Sequence, residues 1–517
     1  MKYVSVAEMI AIEKGADASG HTYAQMMEHA GRGLAEVVHS SYSHYKTKNA
    51  LGLVGSGNNG GDTLVAFCYL QAWGWQTTAY IVRSRPQNDP LVVRFLAAGG
   101  KLLEIEGDPA YPELITALES NLVLLDGVLG TGIRLPLRGT IAAVLDLVRN
   151  RLQTMEAPPH VVAVDCPSGV DCDSGEAAPE CLPAEITVTM AAIKQGLLKF
   201  PAFKLVGDLR LVGIGLPEGL PAYEKIQRQV VTADWVQSVL PARPLDGHKG
   251  TFGTVLVVGG SLNYSGAILL AGEAAFRSGA GWVTLAVPGP LHAALASAFV
   301  EATWLLLPHE GGFIAAEAAE LVRANLGKPT ALLVGPGFGM QDGSRDFIAG
   351  LLAEDQQLPA LVVDADGLKL LAQLPNWWEL PPAPAVLTPH PGEMAILTGL
   401  SSGEIQADRL RIAEMYARTW GHVVVLKGAF TLIAAPNGRT AVIPVATPAL
   451  ARAGTGDVLA GLIAGLRAQG LPAFEAAAAA AWIHAQAGLR AAETLGSTAT
   501  VLAGDVLAAT VDVLADL

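Results

Sequence analysis

Apolar residues recur at helical spacing near the start of the chain, at Met9, Ile10 and Ile12 and again from Tyr23 to Val38. That spacing predicts two amphipathic helices. The pattern then changes. Short runs rich in Val, Leu and Ile end in Gly, Asp or Pro, and an amphipathic stretch follows each: ALGLVG, TTAYIV, NLVLLDG, HVVAVDCPSG and EITVTM. Such alternation predicts parallel strands with helices on both faces. Near residue 215 it pauses in GIGLPEGLPAYEKIQRQVV, rich in Gly and Pro. A domain boundary is expected there, between residues 1–222 and 223–517. A second series follows: TVLVVGG, GWVTLAVP, TALLVGPG, ALVVDADG, AVLTPHPGE, HVVVLKG, TLIAAP and AVIPV. The Ala-rich stretch FEAAAAAAWIHAQAGLRAAETL predicts a packed helix, since Ala is the best helix former. The fold class expected is α/β in two domains.

Composition narrows the function. In 517 residues, 51% are hydrophobic and 16% charged, enough apolar surface for large cores. Lys plus Arg number 34 against 48 Asp plus Glu, a net charge of −14. A chain this acidic is a poor general binder of nucleic acid. Four cysteines without a CxxC pair make neither a disulfide framework nor a zinc site, and suggest reduced thiols in the cytoplasm. The N-terminus is interrupted by acidic residues and is no secretory signal. The uncharged centre of residues 250–272 contains GGSLNYSG, so a strand, a loop and a helix start are expected there, with no membrane partner.

The chemistry gathers at strand ends. Gly55-Ser56-Gly57-Asn58-Asn59-Gly60 fits GxGxxG after a candidate strand, a context suited to phosphate at a helix N-terminus. The alternative for the motif alone is a tight turn without a ligand. The acid a dehydrogenase would carry on its second strand is missing, and Arg83 and Arg85 stand there instead. NLVLLDGVLGTG places Asp126 at a strand end, and HVVAVDCPSG places Asp165 at another, with Ser168 beyond it. Strand ends of a parallel sheet line one crevice, so Asn59, Asp62, Asp126, Asp165 and Ser168 are expected to converge. Such a cluster suits a cation on oxygen ligands plus one carboxylate for proton transfer. Any single Asp reads first as a helix or turn cap, and the three strand ends together read as a site. In the second half, Gly454-Thr455-Gly456-Asp457 opens a helix. Free N–H groups of a first helical turn form an anion hole, and an adjacent Asp can take a hydroxyl proton during phosphoryl transfer. His390 reads as a ligand contact or as a loop histidine. There is no GxxxxGK[ST] and no HExxH, which sets aside P-loop enzymes and zinc proteases.

These motifs carry a resemblance. GSGNNGGD, LLDGVLGTGIRLPLRG and VVAVDCPSGVD, over most of residues 1–215, resemble the NAD(P)H-hydrate epimerase family. The resemblance implies a Rossmann-like three-layer sandwich that interconverts the R and S hydrates of reduced nicotinamide dinucleotides. It implies dinucleotide contacts from Asn58, Asn59, Gly60, Gly61 and Asp62 and from Gly130, Thr131, Gly132, Ile133, Arg134, Leu135 and Pro136. It further implies potassium on Asn59, Asp126 and Ser168, with Asp165 facing the substrate as acid/base. Thr63 departs from the family, which usually has a third glycine there. HKGTFG (248–253), GPGFG (335–339), TPHPGE (388–393), KGAFT (427–431) and AGTGDVLAG (453–461) resemble ADP/ATP-dependent NAD(P)H-hydrate dehydratase, in the ribokinase-like superfamily. By that resemblance, Lys427, Gly428, Ala429, Phe430, Thr431 and Gly456 hold ADP or ATP. Ala267, Gly337, His390 and Asp457 then contact the hydrate, with Asp457 catalytic and Mg2+ on the phosphates. The fused pair implies a bifunctional repair enzyme acting on NADHX and NADPHX, with ADP favoured, and a homo-oligomer is expected. The rivals are a ribokinase-like small-molecule kinase fused to a non-catalytic dinucleotide-binding module, and an ordinary dehydrogenase.

Overall fold

Ser5 and Thr22 start the first two helices. Each side chain caps the first turn, and Glu8 and Gln25 return the bond to the cap backbone, so Val6–Ala18 and Tyr23–Tyr42 both begin in capping boxes. The computed structural model describes residues 1–353, 357–382 and 384–517. The chain divides into two units, Met1–Gln227 and Arg228–Leu517. The division falls just past the 222/223 boundary expected from sequence. Helix Pro221–Glu224 packs on Val6–Ala18, and Ile226 is buried in the first core, so these residues stay with the first unit. Arg228–Val230 instead pairs with Thr440–Val442 in the second unit's sheet.

The first unit is built on a seven-stranded sheet. Its order is Lys101–Glu104, Gln76–Ile81, Asn49–Val54, Val123–Gly127, His160–Val164, Ile186–Met190 and Asp208–Val212. Every pairing is parallel. The central strands are almost wholly buried, which explains why they read as continuous apolar runs. The chain works outward from Asn49–Val54 in one direction, then jumps to Val123–Gly127 and continues in the other. That is the doubly wound, Rossmann-like arrangement, and ligands of such sheets bind where the order reverses. The two edge strands, Lys101–Glu104 and Asp208–Val212, are half exposed and carry charges, so no apolar run announced them.

The second unit has a ten-stranded sheet. Its order is Arg228–Val230, Thr440–Val442, Leu432–Ala434, Val423–Leu426, Val386–Leu387, Ala360–Val363, Ala331–Val334, Thr254–Val258, Trp282–Pro288 and Thr303–Leu307. The strands expected from TLIAAP and AVIPV are present; Leu432–Ala434 runs antiparallel to both its neighbours, and Thr440–Val442 is parallel to Arg228–Val230 on its other side. Five residues link Leu426 to Leu432, and a parallel crossover needs a dozen or more. Residues 427–431 are therefore a hairpin loop.

Helix Thr455–Ala468 crosses the sheet and packs closely on Ser265–Arg277. Gly461 makes this approach possible, since a Cβ there would lie 2.1 Å from the Ala271 carbonyl oxygen. The Ala-rich stretch forms helix Ala473–Leu495, buried along most of its length. Residues 250–272 form strand Thr254–Val258, a loop and the start of Ser265–Arg277. Among the described residues no helix is long and apolar enough to cross a membrane. All four cysteines are free thiols.

Candidate functional sites

In the first unit, the loops after Asn49–Val54 and Val123–Gly127 flank an open cleft of about 470 Å³ at the reversal point of the sheet. Its lining includes Asn58, Asn59, Asp62, Gly130, Thr131, Gly132, Ile133 and Asp165. The sequence grouped all eight. Gly60 and Gly61 are buried in the first helical turn behind it, because Gly60 lies against the Gly55 carbonyl and Gly61 against Met27. Arg134, Leu135 and Pro136 do not line the cleft. They continue the loop outward, with Arg134 and Pro136 exposed. Arg83 enters the cleft where a dehydrogenase would place its ribose-binding acid. Arg85 braces the glycine loop, donating to the Gly55 carbonyl at 2.6 Å while paired with Asp89 at 2.7 Å.

Behind the cleft, Asn59, Asp126 and Ser168 come together. Asp126 is fully buried, and its Oδ2 accepts from the Ser168 N–H at 2.8 Å. The Ser168 hydroxyl accepts from the Leu129 N–H at 2.9 Å. Asn59 donates through Nδ2 to the Leu129 carbonyl at 3.0 Å and to the Val164 carbonyl. Asp126 Oδ1 is buried without a hydrogen-bond partner. Burial raises the Asp126 carboxyl above its usual value, against the pull of the Ser168 bonds. A buried carboxylate oxygen with nothing to pair with is an expense that a cation would relieve.

Asp165 carries the opposite arrangement. Its Oδ1 accepts from the Met190 N–H at 2.9 Å, from Thr189 Oγ1 at 3.2 Å and from Lys194 Nζ. Glu13 and Lys194 also line the cleft, and sequence reasoning missed both. One signal existed for Lys194: it is the sole charged residue between Glu185 and Lys199, in an apolar stretch. Burial, with the Asp165 charge adding, pushes Asp62 well above the usual carboxyl range and raises Glu13 as well.

The second site also collects at strand ends. Lys427, the first residue of the hairpin loop, donates to Asp364 Oδ1 at 2.8 Å and lies 3.7 Å from Glu393 Oε2. Asp364 also accepts from Thr388 Oγ1 at 2.6 Å, and both carboxylates are almost wholly buried. Gly428 and Ala429 are exposed at the loop tip. Phe430 is buried with a φ of +54°, and Thr431 Oγ1 closes the loop on the Gly428 carbonyl at 2.9 Å. Gly456 faces Lys427, whose Nζ lies 3.5 Å from where a Gly456 Cβ would stand. Asp457 sits in the first turn of Thr455–Ala468. Burial, then the charges of Asp364, Asp366 and Glu393, outweigh Lys427 and push it up to about 7.

His390 is exposed and caps helix Pro391–Thr398, and its Nε2 lies 3.2 Å from Glu393 Oε1. Gly337, at a φ of +67°, packs against Ala267: a Cβ there would lie 3.1 Å from the Ala267 Cβ. Asp364 and Glu393 were visible to the sequence only as members of loops. Their pairing with Lys427 depends on three strand ends meeting.

Two α/β units, each with buried carboxylates at the ends of its strands, define an α/β enzyme with two sites. Family models agree with that division. The model described as YjeF-related protein N-terminus matches residues 23–196, and the model described as NAD(P)H-hydrate dehydratase matches residues 255–509. The bifunctional NAD(P)H-hydrate repair enzyme Nnr of Moorella thermoacetica is 39% identical over 489 residues, covering 93% of this chain and 90% of its own. That of Escherichia coli is 33% identical over 475 residues, 92% of this chain and 86% of its own. Among solved structures, ADP/ATP-dependent NAD(P)H-hydrate dehydratase from Bacillus subtilis, co-crystallized with ATP/Mg2+, is 30% identical. It covers 56% of this chain and 98% of that one, with a TM-score of 0.48. The chain belongs to the bifunctional NAD(P)H-hydrate repair enzyme family.

Proposed function

We propose that the two units of this NAD(P)H-hydrate repair enzyme divide one repair. The first epimerises the R and S hydrates, and the second dehydrates the S form to NAD(P)H at the expense of ADP, giving AMP and phosphate. The observation that carries the reading is that each unit alone sets a candidate carboxylate among the strand-end loops of its own sheet: buried Asp165 in one, and in the other half-buried Asp457, in the first turn of Thr455–Ala468.

In the first unit the dinucleotide of NADHX or NADPHX lies over Asn58–Asp62 and Gly130–Ile133, with its phosphates near free N–H groups of the first helical turn. Asp165 gives a proton to the ring hydroxyl, which leaves as water. Water then adds to the other face and returns the proton. The donor set of Asp126, Ser168 and Asn59 fits potassium, with the orphaned Asp126 Oδ1 supporting it. Potassium, when bound, supplies fixed positive charge beside the substrate.

In the second unit Lys427–Thr431 and Gly456 hold the nucleotide, and Ala267, Gly337, His390 and Asp457 contact the hydrate. Hydroxide is a poor leaving group. Asp457 takes the hydroxyl proton as the oxygen attacks the terminal phosphorus of ADP, and AMP departs. Phosphate then leaves the ring carbon, and loss of a ring proton restores the double bond. A base near neutrality suits this step, and a value of about 7 for Asp457 fits it. The N–H groups after Gly454 stabilise the phosphoryl oxygens. Among the described residues no group of three or more His, Cys, Asp or Glu side chains could cage a metal ion. Magnesium, bound with the nucleotide, would offset the charge of its phosphates.

The four free thiols, three of them buried, support a reducing compartment, the cytoplasm. The reading is tested by incubating mixed R and S hydrates with ADP, ATP or neither. Complete recovery of NAD(P)H with nucleotide supports both activities. Recovery of one isomer's share alone leaves the first unit a non-catalytic binder, and a stable phosphorylated product makes the second a kinase.

A further inference from the structure

Asp165 stands on a backbone that side-chain-bearing residues rarely adopt. Its φ is +65°, and its N–H donates to the Val188 carbonyl at 2.8 Å. The carboxyl then meets strand Ile186–Met190, and its two oxygens part company. Oδ1 takes three donors, from Met190, Thr189 and Lys194. Among the described residues no protein group hydrogen-bonds Oδ2.

Lys194 is equally committed. An ammonium has three donors. Here they meet Asp165 Oδ1, Thr189 Oγ1 at 3.1 Å and the Met190 carbonyl at 2.9 Å. The side chain is 1% exposed. A buried ammonium is costly unless paired and hydrogen-bonded, so its presence beside an open cleft calls for a reason. Its backbone is held by the start of the chain: Tyr3 pairs with Ile193 and Val4 with Lys194, and the Ile193 N–H donates to the Lys2 carbonyl at 3.0 Å. Lys2 is tied in turn to the Ile226 carbonyl at 2.7 Å.

We propose that Lys194, clamped by strand Tyr3–Val4, is a positioning residue for epimerisation: it occupies Oδ1 of Asp165 and leaves Oδ2 to exchange the proton with the hydrate. This rests on Asp165 being the acid/base. A carboxylate free to rotate would offer either oxygen at either angle, and proton transfer to a ring hydroxyl demands one geometry. The groups facing Asp165 are Lys194, Glu13 from helix Val6–Ala18, Asp62 from helix Asn58–Ala72 and the neighbouring Cys166. Among the described residues Lys194 is the one cation touching it. Removing that ammonium takes a donor from Oδ1 and frees the carboxylate to turn.

The test uses Lys194→Met and Lys194→Arg in the full chain, with ADP-dependent dehydration of the S hydrate as the folding control. Lys194→Met is expected to lower kcat for epimerisation about 100-fold with little change in KM. Lys194→Arg, which keeps a cation on Oδ1, is expected to restore most of the lost kcat. Thr189→Val, which removes one partner of both groups, gives a smaller fall in kcat with KM held and serves if the Met variant fails to fold. A parental kcat in Lys194→Met, or a fall that Lys194→Arg does not restore, overturns the proposal and leaves a structural ion pair. Asp165→Asn separates the two levels. If it still epimerises, the assignment of Asp165 fails; if it is inactive while Lys194→Met keeps its kcat, the positioning role alone fails.

Discussion

The Thr63 hydroxyl occupies the space that a side chain on Gly127 would need: a Cβ there would lie 2.0 Å from Thr63 Oγ1. Thr63 is fully buried, and its hydroxyl donates to the Asn59 carbonyl at 2.8 Å. Gly52, on the neighbouring strand, opens room on the other side, where a Cβ would lie 2.8 Å from Thr63 Cγ2. Two strand glycines thus make the room that Thr63 fills. Gly127→Ala is expected to destabilise the first unit by about 1–3 kcal/mol through overpacking. Pairing it with Thr63→Gly should recover much of that loss relative to Thr63→Gly alone. Denaturant unfolding of the four variants measures the coupling, and additive effects would mean that the two residues do not compete for space.

Lys427 neutralises two buried carboxylates, Asp364 and Glu393. Lys427→Met takes the buried cation from Asp364 and leaves Glu393 with His390 alone, and stability should fall by about 3–5 kcal/mol in the second unit, as when one partner of a buried pair is removed. Thermal unfolding with and without saturating ADP reads the loss, and the stabilisation by ADP should shrink in the variant. A variant as stable as the parent, with the same nucleotide response, contradicts both roles.

Dehydration should depend on pH through Asp457. Its raised value means that the protonated, inactive form accumulates below about pH 7, so kcat/KM should fall as pH drops through that region and level off above it. Epimerisation need not follow the same curve, because its acid/base stands in the other unit. Parallel pH profiles of the two activities check this. A dehydration rate flat from pH 6 to about pH 8 would argue against Asp457 as the base.

Epimerisation should respond to potassium. Replacing potassium by a bulky tetraalkylammonium ion is expected to slow R-to-S conversion and leave S-hydrate dehydration by the second unit as the internal comparison. Asp126→Ala removes the orphaned oxygen and should abolish the difference between the two salts. Isomer-resolved chromatography reports the rates, and an equal salt response in Asp126→Ala and the parent would remove Asp126 from the cation site.

Much of this arrangement was legible in the residues, for a physical reason. Central strands of parallel sheets are buried on both faces, so they stand out as apolar runs, and the glycines and acids just beyond them mark the crevice. Asp126 and Asp165 could be found that way, and Asp457 by the glycines that open its helix. Strands Lys101–Glu104, Asp208–Val212, Arg228–Val230 and Thr303–Leu307 could not, being short or half exposed at sheet margins. Lys194 escaped for another reason. Its burial depends on a two-residue strand at the far end of the unit, a long-range pairing that no local spacing encodes. The same holds for Asp364 and Glu393, whose meaning lies in the lysine they share. Arg134–Pro136 shows the converse, since a motif that continues in sequence leaves the cleft in space.

The central claim is that two separate carboxylates run two separate reactions. It is tested most directly by supplying equal R and S hydrates with ADP to Asp165→Asn and Asp457→Asn and following both isomers and NAD(P)H. Asp165→Asn should consume the S isomer at the parental rate and leave R behind. Asp457→Asn should interconvert the isomers and yield no NAD(P)H. Loss of both activities from either single substitution, in a protein that still unfolds cooperatively at the parental temperature, would contradict the account.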